Sequence, residues 1–204
     1  MKKIITITIL LLIYAFAYSQ RTITGTLPNL ANQQIKLVGF KGFQTYAIDS
    51  VKANEKGEFN LSYSEKNYGM GYLSAHDNKP FFIVLSNEKI QLKGEAFAIA
   101  ESIEITKGHE NQYFNQYASE HLRREQALSA WDYLTKIYRK DSLFAIHETP
   151  KQAIETEKQR IKAEDSLFLA NLPEGSYISY YLPLRKLVSS VSTIAQFRTE
   201  EIPA

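Results

Sequence analysis

Histidines, a pair of carboxylates and a glycine between a strand and a helix are the features of this 204-residue chain that invite a search for chemistry. The histidines are His76, His109, His121 and His147. A metal centre needs ligands at hairpin or helical spacing, and no two of these residues have it. In His147-Glu148-Thr149-Pro150-Lys151, Lys stands where the second histidine of a zinc-protease helix belongs, and Pro150 breaks the pattern. His121 and Glu125 read as an i, i+4 pair on a helix surface. Lys107-Gly108-His109 occupies the place of a phosphate loop, yet it has one glycine and lacks the following Lys and Ser/Thr, so it reads as a strand-to-helix turn. Asp49 and Glu58 flank a turn, and carboxylates meeting across a hairpin would suit glycoside hydrolysis. Nothing in the sequence sets their separation, and solvated turn residues are the simpler reading. No serine lies in a Gly-x-Ser-x-Gly elbow. Cysteine is absent, which excludes both disulfides and thiolate chemistry by this chain. The 13 Tyr and 11 Phe would suit a stacking surface for sugars or peptides, although aromatics serve strands and interfaces equally well. On these grounds no catalytic, cofactor-binding or metal-binding residue is assigned.

The elements that would position such residues form two blocks. Phe81 to Leu85 is a continuous apolar run, too short for a helix, which predicts a strand covered on both faces. Ser86 to Lys89 is a turn, and Ile90 to Lys93 alternates up to Gly94, so the stretch predicts a buried hairpin. Earlier alternation predicts strands over 22–27, 34–40, 44–51 with Tyr46 and Ile48 on one face, 59–63 with Phe59, Leu61 and Tyr63 on one face, and 69–75. The turn 53–57 ends in Gly57, suited to positive φ. Roughly seven close-set strands favour an antiparallel β-sandwich or open barrel over residues 20–107.

From His109 the period changes from two to about 3.6. Phe114, Tyr117, Leu128, Trp131, Leu134 and Tyr138 mark a long amphipathic helix interrupted near Asp141. Thr149, Pro150 and Gln152 read as a capping box opening a second helix, with Ile154, Ile161 and Phe168 inward and Glu155, Lys158, Arg160 and Lys162 outward. Pro173-Glu174-Gly175 stops it. Ser176 caps a third helix carrying Ile178, Tyr181, Leu182, Leu187 and Val188, with Pro183 kinking it or marking its start. The fold class is therefore α+β, with a helical segment over 108–204.

Residues 1–19 read as a secretory leader: Lys2 and Lys3, an apolar run from Ile4 to Ala17, and small residues at Ala17 and Ser19 before a mature start at Gln20. That run of about 14 residues is short of the ~20 that span a bilayer. Cleavage leaves 22 cations against 22 acids, so nucleic acid is not an expected partner, and no membrane span remains. The expected location is the periplasm or the exterior. The end at Glu-Glu-Ile-Pro-Ala has neither a helix stop nor a polar tail and reads as an interruption.

Asp49-Ser50-Val51, Gly57-Glu58-Phe59-Asn60-Leu61, the strands from Phe81 to Gly94, and Gly108-His109-Glu110-Asn111-Gln112-Tyr113-Phe114 follow one another in a familiar order. From residue 21 to about 118 the chain resembles the N-terminal domain of unknown function that precedes a thioredoxin-like domain in exported Bacteroidota proteins of the thiol-disulfide oxidoreductase or AhpC/TSA kind. The helices after it resemble that family's connector. The resemblance implies a cell-envelope protein whose β domain and helices support a redox domain. The Cys-x-x-Cys of such a domain is nowhere in this chain, so no catalytic residue is carried over. The expected function is a non-catalytic accessory or interaction module, partnered by a C-terminal thioredoxin-like domain or another envelope protein. The alternative is a free-standing exported module that binds glycan or peptide.

Overall fold

The structure is a computed structural model that describes residues 21–42, 44–76 and 79–186. The expected leader, Leu187, Val188 and the chain end lie outside the described residues. Two compact units divide the chain, one ending at Gln112 and the other beginning at Tyr113.

The first unit holds eight strands in two four-stranded sheets. Strands β1 (Arg21–Thr26), β4 (Glu58–Tyr63), β7 (Ile90–Lys93) and β8 (Glu104–Lys107) make one, ordered β4-β1-β7-β8. Strands β2 (Gln34–Lys41), β3 (Gln44–Lys52), β5 (Gly69–Ser74) and β6 (Phe81–Leu85) make the other, ordered β3-β2-β5-β6. Neighbours are antiparallel except β1 and β7, which run parallel. The open sandwich is as expected, but residues 81–93 are not a hairpin. β6 and β7 belong to different sheets, and Ser86–Lys89 is the crossing between them. The eighth strand, β8, adds to the seven expected and pairs with β7.

Alternation places the core. Ile23, Leu61, Ile90 and Leu92 from one sheet meet Ile35, Leu37, Leu73, Ile83 and Leu85 from the other, all essentially inaccessible to solvent. Burying each such side chain is worth about 1.5–3 kcal/mol. Phe59, Leu61 and Tyr63 point inward as their spacing predicts. Phe82 does not fit the expectation of a strand covered on both faces: it is 46% exposed, whereas Val84 is fully buried. Strand β3 is a mostly exposed edge, and a register shift opposite Leu37 and Val38 leaves Ile48 as a bulge residue. Gly57 takes φ 75°, and a Cβ there would stand 2.1 Å from the Leu27 carbonyl oxygen, so the turn requires glycine.

The crossing at 86–89 is held from several directions. The Tyr63 hydroxyl reaches the carbonyls of Ser86 (3.0 Å) and Glu88 (2.5 Å), and burial keeps that phenol protonated by pushing its pKa up. Asn87 accepts from Arg21 (2.7 Å) and Tyr68 (3.2 Å). Glu88 accepts from the backbone N–H of Glu110 at 3.1 Å, satisfying one of the free donors at the start of helix α1 (His109–Lys140). One residue on, the fully buried Asn111 accepts from Val84 N–H at 2.7 Å and donates to the Val84 carbonyl at 2.8 Å. Its amide thereby offers edge strand β6 the pair of bonds that another strand would.

The second unit contains the rest of α1, helix α2 (Glu148–Ala170) and helix α3, described over 177–186. Ile154 and Ile161 are buried, and Phe168, one heptad on, packs against Tyr113 and Tyr117 at ring separations of 6.3 and 5.5 Å. Two details differ from the sequence reading. The cap of helix α2 is His147, two residues before the expected Thr149, and makes no side-chain cap bond, so Thr149 and Pro150 lie within the first turn. Pro150 is tolerated there because first-turn N–H groups have no helical acceptor. Lys158 does not project outward but pairs with Asp132 of α1 at 2.6 Å. Of the two places expected for Pro183, the chain takes the one inside α3, and Ser176 caps that helix as expected, accepting from Ser179 N–H at 3.3 Å.

Replacing Asn111 by Ala strands two buried backbone groups and is expected to lower the unfolding free energy by about 3 kcal/mol, read by urea denaturation. A loss below about 1 kcal/mol would show that β6 needs no such partner. Phe82→Asp is expected to cost less than about 1 kcal/mol, whereas Val84→Asp, a charge at a sealed position, should cost several.

Candidate functional site

Titratable side chains converge around a buried carboxylate in the helical unit. Asp165 lies four residues after Ile161, one turn along the covered face of α2, and is only 5% exposed. His121 Nδ1 stands 2.9 Å from its Oδ1, Lys186 Nζ 2.5 Å from its Oδ2, and Arg124 Nη1 3.8 Å from its Oδ1. The Tyr117 ring stacks on the imidazole, with centroids 4.8 Å apart and planes 11° from parallel. Arg124 is further held by Glu120 at 2.8 Å and Glu164 at 3.9 Å.

Burial pushes the Asp165 pKa upward, but hydrogen bonds from Lys186 and His121, together with their charges, outweigh it and hold the carboxyl below its ordinary range. Burial first, then the Asp165 charge, pushes the Tyr117 phenol up, so it stays protonated. Among the described residues the Tyr117 hydroxyl has no hydrogen-bond partner.

A carboxylate on one imidazole nitrogen is the orienting half of a general-base arrangement. Catalysis would need the other nitrogen open to a nucleophile or water, and His121 Nε2 instead faces Glu125 Oε1 at 4.0 Å. The expected surface pair of His121 and Glu125 is therefore the weaker edge of a half-buried network whose centre, Asp165, sequence reasoning missed. An acid spaced one turn from the Ile154/Ile161 stripe was the signal available. What the arrangement does is join three helices through ion pairs.

The other candidates stay apart. His76 is in the loop after β5, and His109 and His147 are exposed at the starts of α1 and α2. Gly108 turns the chain into α1 at φ 106°, as a strand-to-helix turn. Asp49 accepts from the backbone N–H groups of Ser50 and Ser62, both at 2.7 Å, and so ties edge strand β3 to edge strand β4. Glu58 accepts from Asn54 at 2.7 Å and starts β4 four residues before Ser62, about 13 Å of extended chain. The two carboxylates are thus engaged at different places, Asp49 by backbone N–H groups and Glu58 by the side chain of its own turn. Among the described residues no three of His, Asp and Glu gather as a metal would require.

Fold and cluster together define an α+β protein: an open β-sandwich followed by helices tied through a buried acid. Residues 21–114 match the family model described as "Domain of unknown function (DUF4369)". No curated protein matches the chain. Among solved structures, the crystal structure of a 9R-lipoxygenase from Cyanothece PCC8801 is similar over 34% of this chain, at 14% identity and a TM-score of 0.27. The chain spans 14% of that protein's length, and a likeness this slight carries no argument.

Because the folded carboxyl sits below its unfolded value of about 3.9, Asp165 contributes stability that is present above that pH and lost as pH falls through the folded value. Asp165→Ala is expected to cost about 3 kcal/mol at neutral pH. The Asp165→Asn variant should lose less stability than the parent on acidification below pH ~4. Circular-dichroism melts at pH 7 and pH 3 check both, and identical acid responses in parent and variant would remove Asp165 from this role.

Proposed function

We propose that this chain is a non-catalytic accessory module of an exported cell-envelope protein, holding or positioning a thioredoxin-like redox domain. The observation that carries the reading is where the polar side chains of the family-like segments go. Asp49 joins two strands, Asn54 closes its own turn by accepting from Lys56 and Glu58 N–H, Glu88 caps a helix and Asn111 completes an edge strand. Those polar atoms are engaged with backbone, which suits a scaffold better than a reaction site. The family match over 21–114 supports the same reading. So does the basic-then-apolar start of the sequence, for export.

A free-standing glycan- or peptide-binding module has one observation in its favour: Phe40, Tyr72 and Phe82 lie in a row on one sheet, with Phe40 and Phe82 exposed. Successive rings are tilted by 54° and 60°, so they pack against one another instead of offering a flat stacking platform.

Insulin-reduction and peroxide-consumption assays of the purified chain are expected to read at the blank, because the chemistry needs a thiolate and the chain has no cysteine. Turnover above the blank would overturn the non-catalytic reading. The natural reading frame beyond codon 204 tests the accessory role. A Cys-x-x-Cys or lone peroxidatic Cys after a strand supports it, and an immediate stop codon favours the binding module.

A further inference from the structure

The turn joining α1 to α2 is built the opposite way from an ordinary solvent-facing turn. Its backbone is satisfied internally: the Asp141 carbonyl accepts from Phe144 N–H (3.2 Å) and Ala145 N–H (2.8 Å), and the Phe144 carbonyl accepts from His147 N–H (3.0 Å). The Asp141 carboxylate accepts from Leu143 N–H at 2.8 Å. The Phe144 ring packs on Tyr138 at 5.4 Å. What the closed turn then presents to solvent is Leu143, 69% exposed, and Ile146, 76% exposed. Turn tips are ordinarily polar and rich in Gly, Asn and Asp, and this one reads Ser-Leu-Phe-Ala-Ile.

Charge and aromatic residues surround that tip in a pattern. Lys136, Arg139 and Lys140 occupy the last turns of α1, and Lys151 the first turns of α2. The acids nearby are Asp141 in the turn and Glu148 and Glu155 on α2, the last close enough to Arg139 to interact with it. Asp141 is engaged in the turn and Glu148 with Lys151 at 2.7 Å, and Lys136 and Lys140 are both exposed. Further back on α1, Tyr133 is 66% exposed, and Trp131 and Tyr138 are half-buried.

We propose that this hairpin tip docks on an anionic phospholipid surface, with Leu143 and Ile146 entering the acyl boundary and Lys136, Arg139 and Lys140 meeting the headgroups. A bilayer asks for protruding apolar side chains with cations and amphipathic aromatics behind them, and needs no shaped complement. A protein partner would be met by a groove or a flat patch, and these two side chains project singly from a tight turn. No described helix is long and apolar enough to cross a membrane, so the association is peripheral.

Flotation with vesicles tests the proposal, using phosphatidylglycerol mixed with phosphatidylethanolamine against phosphatidylcholine alone. Both the full chain and the chain begun at Gln20 are needed, so that the apolar 4–17 run cannot supply the binding. The expected result is binding to anionic vesicles that weakens roughly tenfold or more in Leu143→Asp/Ile146→Asp, and roughly a hundredfold in the triple Lys136→Gln/Arg139→Gln/Lys140→Gln variant. Unchanged melting curves would show that these variants still fold. An Ile146→Trp reporter is expected to blue-shift on anionic vesicles. Absence of binding, equal binding to phosphatidylcholine, or binding that the tip variants leave unchanged would overturn the proposal. Concentration-dependent self-association that the Asp variants abolish, without vesicle binding, would assign the tip to a second copy of the chain instead.

Discussion

An unpaired strand edge must be given partners, and the way this chain meets that demand governs how its sandwich ends. Strand β6 bonds to β5 on one side only, and at Val84 its other side is completed by one side-chain amide instead of a strand. An amide is among the few side chains that both donate and accept with the geometry of a peptide group. Asn111 can reach because Gly108 turns the chain and Glu88 holds the Glu110 N–H in the first turn of α1. The Gly-His-Glu-Asn run thus has a mechanical explanation in which glycine supplies the bend and asparagine the bonds. The opposite side of the sandwich uses a carboxylate in the same manner, with Asp49 of β3 accepting from Ser62 of β4.

The helical unit applies the same economy with charge. A buried carboxylate is costly to desolvate, and such a group persists when cations and hydrogen bonds from several directions compensate it. Asp165 receives them from α1 through His121 and Arg124 and from α3 through Lys186. A helix that slid or rotated would leave the acid uncompensated, so the cluster selects one arrangement of these helices where apolar contacts alone would permit several. The Tyr117 ring beside it packs on His121 and Phe168.

Much of this was legible in the residues. Two-residue alternation found the core-facing positions of β1, β2 and β4, and the change of period at His109 marked the first helix to the residue. Pairing was not legible. The run from Phe81 to Leu85 and the alternation from Ile90 to Lys93 look like a hairpin because a four-residue turn joins them, and only long-range pairing with β5 and β1 sends them to different sheets. Phe82 was misread for a related reason, since an apolar residue on an outward face has the same local signature as one covered from both sides. The Asp165 cluster combines residues from three helices, and no local pattern records which helix faces which.

The parallel contact between β1 and β7 joins the two ends of the sandwich sequence. Ile23 pairs with Ile90, so the sheet that β1 shares with β4, β7 and β8 cannot be completed until nearly all of the sandwich sequence is present. The other sheet contains β2–β3 and β5–β6, each a pair of neighbours in sequence whose contacts close short loops at low entropic cost. Strand β1, by contrast, pairs only with strands far along the chain, so its own contacts close longer loops. Its six residues, Arg-Thr-Ile-Thr-Gly-Thr, hold one large apolar side chain among threonines, a charge and a glycine, a composition that keeps an unpartnered strand soluble.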